Sequence, residues 1–306
     1  MSEHPPVFVV ATARTGGTLL TTMLDAHPLL GMSYEIYQDL LIAQDGDPLS
    51  VTSALTLLDH ARCDDQVKWL RGITDRNLRA FAARARRGGL AVQDVRAALA
   101  EHGRRGRTLD EVEDRLDLID DLMLATMHVK DAQRWGGKIA RVDLALVHRR
   151  HPDAVFLATL RDGRDVLASR QRVGRFDGTP ETVATEWKRA VTRFRDLIAS
   201  AGARGAEIRY ERLVSSPAQV LSELTSLIGI AYHRQMLDFA ALDLSLYAAP
   251  HGHLSGQQIK EGLTRSSVGR WRSELSDEEI TRFEATAGDM LERSGYPLRR
   301  HTVDQA

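Results

Sequence analysis

Along this chain, short runs of consecutive apolar residues alternate with longer stretches in which apolar residues return every three or four positions. The runs are Val7 to Ala11 and Ala154 to Leu160, and Ala206 to Tyr210 reads as a further strand. Their length and β-branched content predict buried strands. Trp135-Gly136-Gly137-Lys138-Ile139-Ala140 reads as the resumption of the same strand–helix pattern. The periodic stretches predict helices. One begins at Thr18 with Leu19, Leu20, Met23 and Leu24 on a face and closes before Pro28. Others carry Val142, Ala145 and Leu146; Val183, Trp187, Val191 and Phe194; and Leu221, Leu224 and Ile228. Ser216, Pro217 and Gln219 supply an N-cap, a first-turn proline and a capping-box glutamine, with Gly229 as the stop. Ser276 and Glu279 open the last helix as a second capping box. Repeated strand–helix alternation predicts an α/β fold, a mostly parallel sheet with helices on both faces.

The middle of the chain breaks that rhythm. After Glu35 the pattern stays helical and loosens around Asp45-Gly46-Asp47-Pro48; from Leu49 to Arg134 it is helical with no convincing strand. Such a stretch between two strand-bearing regions predicts a helical cap or insertion, at about 49–134, within a single domain spanning 1–306. The turn Gly103 to Arg107 reads as a solvated basic loop. Ala248 to Gly269, irregular and punctuated by glycine, reads as an active-site loop.

Composition narrows the classes. The chain has 306 residues, 43% hydrophobic and 27% charged, which suits a folded globular protein rather than a disordered one. A net charge of −1 gives no reason to expect nucleic acid or an anionic membrane as partner. Cys63 is the single cysteine, so no intrachain disulfide forms and a reducing compartment is expected. With no signal-peptide pattern and no apolar stretch near the roughly 18 residues of a membrane span, the expectation is a cytoplasmic protein. Nothing in the pattern decides between a monomer and a homodimer.

The first run breaks into Thr12-Ala13-Arg14-Thr15-Gly16-Gly17 and then a helix. Strand, glycine loop and helix together aim backbone N–H groups and a helix N-terminus at one point, a place for phosphate or sulfate. The loop is P-loop-like but lacks the Gly-Lys-Ser/Thr ending of nucleoside-triphosphate loops. Arg14 and Arg161 both follow strands directly, which puts them at the carboxyl edge of the sheet, where ligands bind in such folds.

Four segments in order resemble the sulfotransferase family, whose donor is 3′-phosphoadenosine-5′-phosphosulfate (PAPS). Arg14-Thr15-Gly16-Gly17-Thr18-Leu19-Leu20 is similar to the 5′-phosphosulfate loop, with Gly17 where threonine is usual. Arg161-Asp162-Gly163-Arg164-Asp165-Val166-Leu167-Ala168-Ser169 resembles the 3′-phosphate motif, Arg-Asp-x-x-Asp-x-x-x-Ser. Arg209 to Val214 with Pro217 resembles a Tyr-Glu-Asp-Leu-Val-x-x-Pro segment, and Arg265-Ser266-Ser267-Val268-Gly269-Arg270-Trp271 the C-terminal loop. The Arg14 loop is similar to that of tyrosylprotein and several bacterial members.

The resemblance implies roles. Thr15, Gly16, Gly17, Thr18 and Leu19 would hold the 5′-phosphate through backbone N–H groups. Arg14 would stabilise the sulfuryl and bridging oxygens; Arg161 and Ser169 would bind the 3′-phosphate and Tyr210 the adenine. Arg265, Ser266 and Ser267 would complete the donor site. Glu35 follows Arg14 at about the spacing of the catalytic glutamate in tyrosylprotein members, so it would be the general base, with His128, His251 and His253 in reserve. His27, in the His-Pro ending of its helix, reads as structural. Lys138 would reach the sulfuryl group or the acceptor. The implied reaction moves the sulfuryl group from PAPS to a hydroxyl or amine of a small-molecule acceptor, leaving 3′,5′-adenosine bisphosphate (PAP), with no metal. Two other readings stand beside it: a nucleotide-dependent phosphotransferase on a related loop, and a non-catalytic nucleotide-binding regulatory module.

Overall fold

Val7–Val10 forms β1, the middle strand of a five-stranded sheet with order β2-β3-β1-β4-β5, every neighbouring pair parallel. The other strands are β2 (Leu30–Tyr34), β3 (Arg134–Ile139), β4 (Val155–Leu160) and β5 (Arg204–Arg209). The structure, a computed structural model, describes residues 4–43, 45–140, 142–174, 178–241 and 256–299.

Side chains of a strand alternate between faces, and both faces here are apolar. Val7 and Val9 pack with Leu20, Met23 and Leu24 of α1 (Gly17–Asp25), and with Leu221 and Leu224 from the C-terminal half of the chain. Phe8 faces the opposite side, among a core that includes Phe81, Leu122 and Phe194. The helices between β2 and β3 supply much of that second face: α2 (Val51–His60), α3 (Gln66–Gly72), α4 (Arg76–Arg87), α5 (Val92–Arg104) and α6 (Val112–Val129). α6 lies along β2 and β3. It comes so close that a Cβ on Gly31 would meet Met127 Cα at 2.5 Å, so only glycine fits that strand position.

The rest of the chain returns to strand–helix alternation. It continues through α7 (Leu144–Arg150), α8 (Gly163–Val173), α9 (Pro180–Ala201), α10 (Tyr210–Ser215) and α11 (Pro217–Ile228). Short α12 (Gly256–Lys260) and α13 (Trp271–Glu274) precede the long α14 (Asp277–Arg293). Among the described residues no helix is long and apolar enough to cross a membrane.

Three local expectations are corrected. Leu30–Tyr34 is a strand that the apolar pattern did not announce, and the chain after Glu35 forms a single 3-10 turn, Gln38–Leu41, rather than a helix. Gly31 and Ser33 weaken the β signal of β2. Tertiary partners compensate: Asp25 accepts from Met32 N at 2.9 Å and from the Tyr34 hydroxyl at 3.0 Å, and Ser33 Oγ donates to Thr126 Oγ1 at 3.2 Å. The capping box at Ser216 does not form. α10 runs into α11, Ser216 N donates to Arg212 O instead, and the Gln219 amide donates to Glu223 Oε1 at 3.2 Å. The box at Ser276 and Glu279 forms in both directions.

The Arg104–Arg107 turn is paired rather than merely solvated: Arg104 and Arg105 meet Glu101, and Arg107 meets Asp114 and Asp117. Of the expected loop from Ala248 to Gly269, residues 248–255 lie outside the described residues; the remainder holds α12 and an irregular return to α13.

Candidate active site

β1 and β4 end side by side, with Val10 paired to Ala158, so the segments beyond them emerge together at the carboxyl edge. Arg14 at φ 72° and Gly16 at φ 93° turn the first segment sharply enough for α1 to start at Gly17. A side chain on Gly16 would strike the Tyr210 ring at 2.5 Å, and one on Gly17 would meet the Ala11 methyl at 2.1 Å. The absence of the usual threonine at Gly17 therefore has a steric cause: the helix end sits directly on the end of β1. Gly16 caps α1 without a side chain, and no acid stands in its first turn. Its N-terminal N–H groups and partial positive charge thus face a cleft of about 780 Å³, lined there by Gly16, Gly17, Thr18 and Leu19. Thr15 turns the other way, its hydroxyl donating to Thr12 O and pairing with Thr159 Oγ1 at 2.8 Å.

One end of the cleft is built around two arginines. Arg14 Nε donates to Ser169 Oγ at 2.9 Å, and Arg161 Nη1 donates to Arg14 O at 3.0 Å. Arg161 lies over the Tyr210 ring, 4.8 Å from its centre, and also donates to Ser267 O. Burial, together with the charges of Arg161 and Arg270, lowers the Arg14 guanidinium from its ordinary value. Burial also lowers Arg161, opposed by Asp165. Both keep their charge, because an arginine starts far above neutrality. An anion placed here would relieve that crowding of positive charge.

The remaining residues of the Arg161–Asp165 segment are structural. Asp162 accepts from Arg164, whose guanidinium also reaches Glu284 and stacks 3.9 Å from the Trp271 ring centre. Gly163 abuts Phe283 and Trp187 closely enough to exclude any side chain. Asp165 accepts from Gly269 N at 2.8 Å and Trp271 N at 3.0 Å, tying the C-terminal loop to the motif. That loop does not present the three expected residues equally. Ser267 lines the cleft. Arg265 is exposed and donates to Ser215 O, and Ser266 is exposed beside Thr264; neither is among the lining residues. Arg270, unmarked by sequence reasoning, donates to Ser267 Oγ at 2.8 Å and lies close enough to perturb both Arg14 and Arg161. The motif contains it, so its position beside Trp271 was the available signal.

At the other side of α1, β2 and β3 end together, with Tyr34 paired to Lys138. Glu35, at φ 58°, turns its side chain into the cleft. Lys138 Nζ lies 2.5 Å from Glu35 Oε1 and 3.0 Å from Thr18 Oγ1. Arg87 Nη1 donates to Glu35 Oε2 at 3.1 Å. All three side chains are nearly buried, so the carboxylate is held between two cations beside the helix N-terminus. Arg87 comes from α4, 52 residues further along, a helix carrying several other arginines. Nothing in the sequence singled it out. The cleft also takes Arg84 and Arg170, and from α9 Arg189 and Arg193; among the described residues its carboxylates are Glu35 and Glu186.

The reserve histidines are elsewhere. His128 is exposed near the end of α6 and does not line the cleft; His251 and His253 lie outside the described residues. His27 is structural in detail: Leu29 N donates to its Nδ1 at 3.1 Å, which leaves Nε2 to donate to Ala231 O at 2.8 Å. Burial lowers its pKa and keeps the ring neutral. Among the described residues, no group of three or more His, Cys, Asp or Glu side chains converges on a point.

A parallel α/β sheet with an uncapped helix N-terminus and convergent arginines at its carboxyl edge is an arrangement suited to an oxyanion. Residues 5–234 match the sequence profile of the sulfotransferase family, and the chain belongs to that family. It is 22% identical over 149 residues to a putative protein-tyrosine sulfotransferase of Caenorhabditis elegans, covering 47% of this chain and 58% of that protein. A chicken (Gallus gallus) protein, protein-tyrosine sulfotransferase 2, is 22% identical over 308 residues, 96% of this chain and 70% of its own length. The chain spans little more than half the length of the C. elegans relative and of its C. briggsae counterpart. In fold it resembles the sulfotransferase domain of the Synechococcus PCC 7002 olefin synthase, with a TM-score of 0.67 at 18% identity and 97% of each chain covered. The sulfotransferase domain from the curacin biosynthetic pathway superposes with a TM-score of 0.62 at 15% identity, covering 98% of this chain and 100% of that one.

Proposed function

We propose that this protein transfers the sulfuryl group of PAPS to a hydroxyl or amine of a small acceptor. One observation carries the reading: Arg14, Arg161 and Ser169 on one side, and Lys138 and Glu35 on the other, flank the same uncapped end of α1. The residues suit the donor. The α1 N-terminus and Arg14 provide for a phosphosulfate, Arg161 with Ser169 and Arg270 for a second phosphate, and the Tyr210 face for a base. The buried Nε of Arg161 and of Arg270, neither with a hydrogen-bond partner among the described residues, supports a site still short of an acceptor of hydrogen bonds.

In the reaction, the acceptor oxygen or nitrogen forms a bond to sulfur while the bond from sulfur to the phosphate oxygen breaks. The acceptor's proton passes to Glu35, and the electron pair of the broken bond leaves on the phosphate of PAP. Arg14 would exchange Ser169 for the developing charge on that phosphate. Lys138, between Thr18 and Glu35, would meet the sulfuryl oxygens. By analogy with phosphoryl transfer, catalysis is then chiefly positioning and electrostatic stabilisation. Within this reading the chain is one α/β unit, 1–306, whose insertion contributes Arg84 and Arg87 to the site, and the lone Cys63 suits a reducing, cytoplasmic setting.

Incubation with sulfur-labelled PAPS and a broad panel of hydroxyl and amine acceptors tests it. Sulfated product is expected, together with a loss in kcat of about 10²–10³ in Arg14→Ala. Absence of product across the panel despite tight PAP binding would favour a regulatory module. ATP binding more tightly than PAP would favour the phosphotransferase reading.

A further inference from the structure

The cleft is more positive than its donor requires. Among the described residues, eight cationic side chains line it against two carboxylates, in a chain whose net charge is −1. PAPS brings about four negative charges, counting each phosphate ester and the sulfate. About two positive charges are left over. Arg87 is taken up by Glu35 and Arg170 by Glu186. Arg189 and Arg193 are different: both are exposed, both line the cleft, and neither has an ion pair among the described residues. They stand four residues apart on α9, where like charges on adjacent turns repel.

α9 packs both on α8, which carries Ser169, and on α7, whose first residue Leu144 lines the cleft with Val142. Val142 and Leu144, the two arginines and the Glu35 carboxylate thus line one cleft.

Resting on the sulfuryl-transfer reading, we propose that the acceptor is itself an anion. It is a small hydroxyl or amine compound with an apolar body and a carboxylate or other oxyanion, and that group is held by Arg189 and Arg193. The apolar body lies on Val142 and Leu144, and the nucleophile is directed to Glu35. A planar guanidinium pair suits an oxyanion through bidentate hydrogen bonds.

The test uses two probes that differ only in charge, 4-hydroxyphenylacetate and 4-hydroxyphenylacetamide, titrated calorimetrically into enzyme saturated with PAP. PAP binding is measured first; its failure in the wild type strikes the donor reading and leaves the charge preference to be read on the enzyme without nucleotide. The anion is expected to bind the wild type at least about tenfold more tightly than the amide. The double variant Arg189→Gln/Arg193→Gln should bring the two within about twofold while leaving PAP affinity within about threefold. Arg189→Lys/Arg193→Lys should keep most of the preference. Equal affinity of both probes, binding of neither at millimolar concentration, or a preference that survives the Gln double variant would overturn the proposal. A loss of PAP affinity of about tenfold or more in the Gln variant would also overturn it, by assigning these arginines to the donor.

Discussion

Gly17→Thr installs the residue most common at this place in the family's loop, and it should damage the protein rather than improve it. The reason is a single distance. A Cβ at Gly17 would lie 2.1 Å from the Ala11 Cβ, where two carbons need about 3.5–4.0 Å. Both atoms are fixed to backbone, so no rotamer change relieves the overlap. The end of β1 and the start of α1 must separate by roughly 1.5 Å, and Ala11 is itself buried. Overpacking of this kind costs about 1–3 kcal/mol, and a chain of this size loses roughly 2–4 °C in Tm for each. The separation also carries the first N–H groups of α1 away from Arg14. PAP affinity should fall at least about tenfold, and kcat further, since a misplacement near 1 Å can cost about 10² in rate. Thermal unfolding and calorimetric titration with PAP measure both effects. The decisive variant is Ala11→Gly/Gly17→Thr, which removes the opposing methyl and leaves the Lys138 side chain, 3.2 Å away, as the next neighbour. It should recover much of the stability and of the PAP affinity, a coupling of about 0.5–3 kcal/mol. A single Gly17→Thr variant with wild-type Tm and PAP affinity would refute the steric argument.

Two further outcomes are expected from the site and its surroundings. Glu35→Gln should lower kcat by about 10²–10⁴ through loss of the proton acceptor, while PAP binds as tightly or more so, because Lys138 and Arg87 lose their carboxylate; a kcat within about threefold of wild type would remove Glu35 from the base role. Stability should fall as pH drops below about 6.5, the unfolded value for histidine, because the folded His27 resists the proton that the unfolded chain takes up, and the loss is complete only below the lowered folded pKa. His27→Asn, which can still accept from Leu29 N, should flatten that slope in a series of unfolding curves from pH 7.5 to 5; an unchanged slope would place the titration elsewhere.

The sequence by itself determined the class of fold and the loop on which the site is built. The runs at Val7 to Ala11 and Ala154 to Leu160 correspond to β1 and β4, since a strand buried on both faces must be apolar throughout, whereas Ala206 to Tyr210 overlaps the half-exposed edge strand β5. The small loop from Thr12 to Gly17 is legible for a similar reason: only glycine tolerates contact distances that belong to the backbone alone. Tertiary structure decided what was not local. β2 became a strand because Asp25 and α6 complete it, although its own residues signal one weakly. Ser267 and Arg270, rather than Arg265 and Ser266, turned inward because Asp165 clamps the Gly269–Trp271 backbone against α8. Arg87, Arg189 and Arg193 were indistinguishable from other surface arginines until folding brought α4 and α9 to the rim of one cleft. A charge on a helix has no address in its own periodicity; it acquires one only from the surface that packs opposite.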